Sequence, residues 1–238
     1  MKYHIDTIPV WDALKEDCEC SLCLIESGLE DKYVEFYLGD SVMQPDVRSM
    51  TNKKGFCHKH YSLMHNATKK LPLGLSTYTR LEYIREHLDK YLTKMIKEDK
   101  SLKKSGALDA AQYIKDITSE CAVCDNIDEN MKRYFYTFIH LWKTDGEFRE
   151  AFLKSKGFCL NHFAELIEFS KKEMTDKVTL EFIKDMAAIQ KENLQRLSEE
   201  VKFFNDKFDH RNVNKPWGTA KDALPRAINK LSGHKIKT

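Results

Sequence analysis

Glycine and proline are scarce in this sequence, with nine and five among 238 residues. With so few chain breakers, abundant Lys, Glu and Leu and little strict alternation, the composition argues for helices rather than strands. No apolar run approaches the length of a membrane span. The longest, Tyr134 to Trp142, is short and holds His140. The first six residues lack the apolar stretch of a signal peptide. Net charge is only +2, too small to imply a nucleic-acid or membrane partner by itself. There is no phosphate-cradling Gly loop, nucleophile elbow or His-Glu-x2-His stretch. These absences predict an all-α, soluble, cytosolic protein without a recognisable catalytic constellation. His58, His65, His87 and His140 stand isolated from any second catalytic partner and read as surface or satisfied core residues.

What the sequence does have is cysteine in register with histidine. Between Cys20-x2-Cys23 and the Cys57 of Gly55-Phe56-Cys57-x2-His60 lie 33 residues, and between Cys121-x2-Cys124 and the Cys159 of Gly157-Phe158-Cys159-x2-His162 lie 34. The copies are offset by 101 and 102 residues. Val47-Arg48 and Phe148-Arg149 precede the two Gly-Phe-Cys segments at nearly the same distance, and Tyr61 and Phe163 follow the two histidines. The chain reads as a tandem repeat, roughly 9–100 and 107–208, with division expected at 1–106, 107–208 and 209–238.

In a reducing compartment, clustered Cys more often means metal than disulfide. Zinc takes four Cys or His ligands in a tetrahedron, and two Cys two residues apart can reach one ion. The expectation is therefore one Cys3His site per repeat: Cys20, Cys23, Cys57 and His60 in the first, and Cys121, Cys124, Cys159 and His162 in the second. Two zinc ions per chain are the default, with iron or an iron–sulfur centre the less favoured alternative. A closed four-ligand site has no open position for substrate and reads as structural. Inert buried thiols would leave the histidine spacing unexplained. Cys18 has only Ser119 at the matching place of the second copy and reads as a bystander, though a spare thiol is what a metal-exchange or redox role would use.

A coarse helix map accompanies this. One helix starts near Thr7 and Pro9, and a second runs from about Cys20 to Leu38. Gly39-Asp40 and Pro45-Asp46 mark irregular chain. Each Gly-Phe-Cys opens a helix, and another carries Leu81, Ile84, Leu88, Tyr91 and Met95. Lys97-Glu98-Asp99-Lys100 reads as solvated helix surface, and Lys103 to Gly106 as a linker. The longest helix carries Ile183, Ala187, Leu194, Leu197, Val201, Phe204 and Phe208, with Gln190 as a polar break. Packing onto the chain's own bundle is favoured for that stripe, and a homodimer seam through 178–208 is the alternative. Asp46 and Arg48 read as a local turn or salt bridge before an anion site.

From Asp209 to the end, seven Lys/Arg face two Asp, giving +5 and leaving the remainder at −3. Trp217 reads as docking this basic tail, with a helix restarting at Pro225 and ending at Gly233. Nucleic-acid binding through the tail is the weaker alternative.

The Cys18-Glu19-Cys20-x2-Cys23 start, Pro45-Asp46-Val47-Arg48, both Gly-Phe-Cys-x2-His segments, and Lys215-Pro216-Trp217-Gly218 followed by Lys221-Asp222-Ala223-Leu224-Pro225-Arg226 resemble an uncharacterised bacterial family. It is a domain-of-unknown-function family found mainly in anaerobic Firmicutes. The resemblance implies a cytosolic bacterial protein that keeps the eight motif Cys and His as a unit. It brings no established activity, and an anaerobic setting raises the weight of iron–sulfur chemistry. The expectation is a metal-stapled interaction or regulatory module with an unknown protein partner.

Overall fold

A computed structural model describes residues 4–96, 104–212 and 214–233. The run 97–100, Lys103, Lys235 and Lys237 lie outside the described residues. Among the described residues eleven α-helices appear in chain order: α1 (His4–Lys15), α2 (Ser21–Tyr37), α3 (Pro45–Lys54), α4 (His58–Asn66), α5 (Lys70–Ile96), α6 (Lys104–Ser119), α7 (Ala122–Thr144), α8 (Gly146–Leu153), α9 (Leu160–Glu173), α10 (Asp176–Asp206) and α11 (Ala223–Ser232). Short 3-10 turns occupy Asp40–Met43, His210–Asn212 and Gly218–Ala220, and no strand occurs among the described residues.

Three local expectations are corrected, the first being that Lys104 to Gly106, expected as part of a linker, open α6. Pro9 lies inside α1 rather than near its start. The stretch from Pro45, expected to be irregular, is helix α3, because Pro at the first helical position is pre-set in φ and needs no N–H partner. Arg48 then donates from Nε and Nη2 to the Val42 carbonyl at 3.1 and 2.8 Å, tying α3 to the turn before it.

The chain forms two compact units, one from Met1–Gly28 with Asn130–Thr238 and the other from Leu29–Glu129. The first unit has an aromatic core in which Phe138 meets Phe148, Phe152 and Phe158 at centroid distances of 5.0, 5.3 and 5.3 Å, all near edge-to-face. Trp142 packs on Phe182 at 5.0 Å and gives its indole N–H to Asp185. In the second unit Phe56 lies between Tyr37 and Tyr61 at 5.2 and 5.4 Å, and α3 packs along α5.

The buried stripe of α10 is Phe182, Met186, Ile189, Gln190, Asn193 and Leu197, about one residue out of register with the expected one. Ala187, Leu194 and Phe208 are exposed. The polar members decide the shift. Gln190 is buried because its Oε1 accepts from the Phe158 N–H at 3.4 Å, and Asn193 because its amide donates to the Ile189 carbonyl at 3.0 Å.

The C-terminal segment is no loose tail. Trp217 packs on Phe204 and receives Lys207 over its ring, and α11 lies against α9 and α10. As expected from Gly233, the helix closes there in a left-handed turn.

Candidate metal centres

Each Cys-x2-Cys lies at a helix start, Cys23 in the first turn of α2 and Cys124 in that of α7. Cys57 and Cys159 are the N-cap residues of α4 and α9, so His60 and His162 fall one turn further on. The preceding glycines, Gly55 and Gly157, have φ of 67° and 77°, a region that disfavours residues with a Cβ. A Cβ on Gly55 would come within 2.9 Å of Arg80 Nε. These turns aim thiol and imidazole at one point.

The partition between sites differs from the sequence expectation. Cys20 and Cys23 meet Cys159 and His162, whereas Cys57 and His60 meet Cys121 and Cys124. The reason is the length of α2 and α7. Phe56, beside Cys57, packs edge-to-face against Tyr37 in the last turn of α2, and residues 23 to 37 of a helix rise about 21 Å. Phe158 likewise packs edge-to-face against Phe138, equally far along α7 from Cys124. Each Gly-Phe-Cys segment therefore docks at the end of its own helix remote from its own Cys-x2-Cys, and the halves pair crosswise.

Each cluster brings its ligand atoms within 4.8 Å of one another. In the first, His162 Nδ1 lies 3.5, 3.4 and 3.3 Å from the sulfurs of Cys20, Cys23 and Cys159. In the second, His60 Nδ1 lies 3.2, 3.2 and 3.5 Å from Cys57, Cys121 and Cys124, and the Cys57 and Cys124 sulfurs are 3.9 Å apart. Bond lengths of ordinary zinc sites put tetrahedral edges at about 3.6 Å for N···S and about 3.8 Å for S···S. The donor sets fit one ion each.

Both imidazoles turn Nε2 to a carboxylate of α2. His60 contacts Glu30 at 3.0 Å, and His162 lies 3.7 Å from Glu26. Such a partner fixes the tautomer that leaves Nδ1 free to ligate. The His60 contact draws the Glu30 carboxyl down to about 2, with Lys59 adding to it against burial. Burial alone would lower both histidines, but Cys121 and Glu30 raise His60 to about 10, and the thiols of Cys159 and Cys20 raise His162 to about 11. Within the thiols the charge is uneven. Cys121 overcomes burial through His60 and backbone N–H groups and falls to about 6, while hydrogen bonds that the Cys23 thiol donates to the sulfurs of Cys159 and Cys20, with burial, push Cys23 far up. An ion entering such a set must displace these protons.

Two buried cations brace the ligand segments, and neither was legible in the sequence. Lys230 of α11, 1% exposed, donates to the carbonyls of Glu19 and Lys156, which flank Cys20 and Gly157. Arg80 of α5, 6% exposed, donates to Asn52 and Lys53, at 2.6 Å each, and to Ile117, just before Cys121. Both look like ordinary helical cations when only the chain is read. The Cys23 thiol also donates to the Gly233 carbonyl at 2.9 Å, so α11 closes over the first cluster.

The clusters differ in enclosure. All four residues of the first are buried, whereas Cys57 and Cys124 of the second are half-buried. Cys18 lies outside both clusters, and burial raises its thiol to about 11. Trp217, Asp46 and Arg48 contribute to neither.

The chain belongs to a family of unknown function (DUF6062), whose profile matches residues 1–238. No curated protein and no solved structure matches the chain.

Proposed function

We propose that this family member is a metal-stapled helical protein holding two zinc ions, one in each Cys3His cluster, and serving as an interaction or regulatory module rather than an enzyme. The observation that carries it is the closeness of four soft and borderline donors in each cluster, at the edge lengths of a single tetrahedral ion. An iron–sulfur cluster would spread its four protein ligands over several irons, wider than the 4.8 Å within which all four donors of each cluster lie. Four protein ligands fill each coordination sphere, and that closed set supports a structural role. Elemental analysis and an absorbance spectrum of anaerobically purified protein test the assignment. Two zinc per chain without visible absorbance is expected, and iron with a visible band would replace zinc in the reading.

A second reading, metal-responsive thiolate chemistry, draws on the half-buried Cys57 and Cys124. It places reactivity at the second cluster rather than at Cys18, whose raised pKa makes it a poor nucleophile. An oxidant titration should then release one ion well before the other. The basic segment supports nucleic-acid binding little, since Arg211 pairs with Asp209, Arg226 with Glu19, Glu200 and Asp222, and Lys230 is buried.

A further inference from the structure

The second unit contains a cavity of about 750 Å³ between α4, α5 and the end of α6. That is the size range of small-molecule sites. Phe56, Leu73, Leu81, Ile84 and Ile117 supply apolar walls, and His58, His65 and Lys54 also line it. Phe56 and Glu120, each next to a ligand of the second cluster, form part of the lining.

Arg80 lines this cavity with its charge only partly satisfied. Three carbonyls take three of its five N–H donors, and Tyr83 lies under the guanidinium at 5.9 Å. Carbonyls solvate a cation but do not neutralise it, and among the described residues no carboxylate pairs with Arg80. Glu120, which is exposed, is the one carboxylate in the lining. Arg80, a buried residue with two guanidinium donors free beside an open apolar cavity, suits an anion carrying an apolar body.

We propose that this cavity binds a small amphipathic carboxylate, its hydrocarbon part between α4 and α5 and its carboxylate on Arg80. Nothing in this depends on which metal the neighbouring cluster holds. The apolar body accounts for affinity and the guanidinium for the choice of headgroup.

The test is calorimetric titration of the full, metal-loaded chain with decanoate, decan-1-ol and decyltrimethylammonium. Decanoate should bind saturably at one per chain, and the two others about 10-fold or more weaker, as a charge-assisted contact would make them. Thr77→Trp, which fills the chamber from a half-buried position, should abolish decanoate binding while metal content and melting temperature stay near wild type. No saturable decanoate binding, equal binding of the three probes, or an unaffected T77W would each overturn the proposal. Arg80→Gln, if it folds with two ions bound, should lose the preference for decanoate over decan-1-ol, and a retained preference would also overturn it. Should R80Q fail to fold, the probe comparison and T77W decide alone.

Discussion

Gly28 and Gly157 are both glycines beside metal-ligand segments, and their surroundings give opposite forecasts. Gly28 sits within α2 with nothing within 4 Å of an added Cβ. Gly28→Ala should raise stability by about 0.5–1 kcal/mol through helix propensity and chain entropy. At Gly157, φ is 77° and a Cβ would meet Gln190 Oε1 and Ile189 Cγ2 at 3.1 Å. Gly157→Ala should cost about 1–3 kcal/mol, from left-handed backbone and crowding together. Denaturant melts of the metal-loaded variants measure both, and a neutral G157A would show that the turn can relax. Glu30 offers a second test at this scale. Its carboxylate holds His60 Nε2, so Glu30→Gln should speed loss of the second ion to a chelator about 10- to 100-fold while sparing the first. Equal loss rates in wild type and variant would remove Glu30 from the site. The eight Cys and His were legible because their types and spacing are rare in chains of this composition. Glu26, Glu30, Arg80 and Lys230 were not, since a helix rich in Lys, Arg and Glu carries many such residues and only packing selects the few that matter.

At the scale of elements, α11 is where sequence reading and structure part furthest. Its end follows from Gly233, though it begins at Ala223 rather than at Pro225, and its charge left nucleic-acid binding through the tail as the weaker alternative. Burial counts against that alternative, because Lys230 and Arg226 serve the protein itself. Lys230→Met keeps the length and apolar stem but leaves the carbonyls of Glu19 and Lys156 without their donor. A loss of about 1–3 kcal/mol is expected, with faster chelator release from the first cluster only. Release from the second cluster instead would refute the brace. Arg226 gives the pH forecast. Burial would raise the Glu200 carboxyl, but Arg226 outweighs it and holds its pKa below the ordinary 4.5. A depressed folded-state pKa gives stability that is complete above 4.5 and is lost as pH falls through the folded value. Arg226→Gln should therefore flatten the acid limb of stability below pH 4.5 and lower the plateau above it, read as melting temperature against pH. The α10 register illustrates the same limit of sequence reading. Apolar periodicity located the helix, but Gln190 and Asn193 point inward because the partners they find there are backbone groups, which no hydropathy pattern records.

For the whole molecule, the pairing of ligand halves is the property that spacing alone could not fix. Each repeat contains a complete Cys3His set, so proximity in sequence favours closure within the repeat. Loop entropy does little to enforce that choice, since doubling a loop costs only about 0.6 kcal/mol. The rigid length of α2 and α7 is the stronger term, because closing a repeat on itself would require unwinding several turns of helix. The crosswise arrangement nests one segment that a metal would close, from His60 to Cys121, inside another, from Cys23 to Cys159. Stoichiometry separates the two pairings without any structure determination. Cys23→Ser and Cys159→Ser disable the same cluster, so the double variant should still hold one zinc per chain. Cys23→Ser with Cys57→Ser disables both and should hold none tightly. Closure within repeats demands the reverse, one ion in C23S/C57S and none in C23S/C159S. Metal analysis after gel filtration, repeated with cobalt so that thiolate absorption reports the ligand set, distinguishes these outcomes. A single ion retained by C23S/C57S would return the metal sites to the individual repeats and overturn the crosswise pairing of the ligand halves.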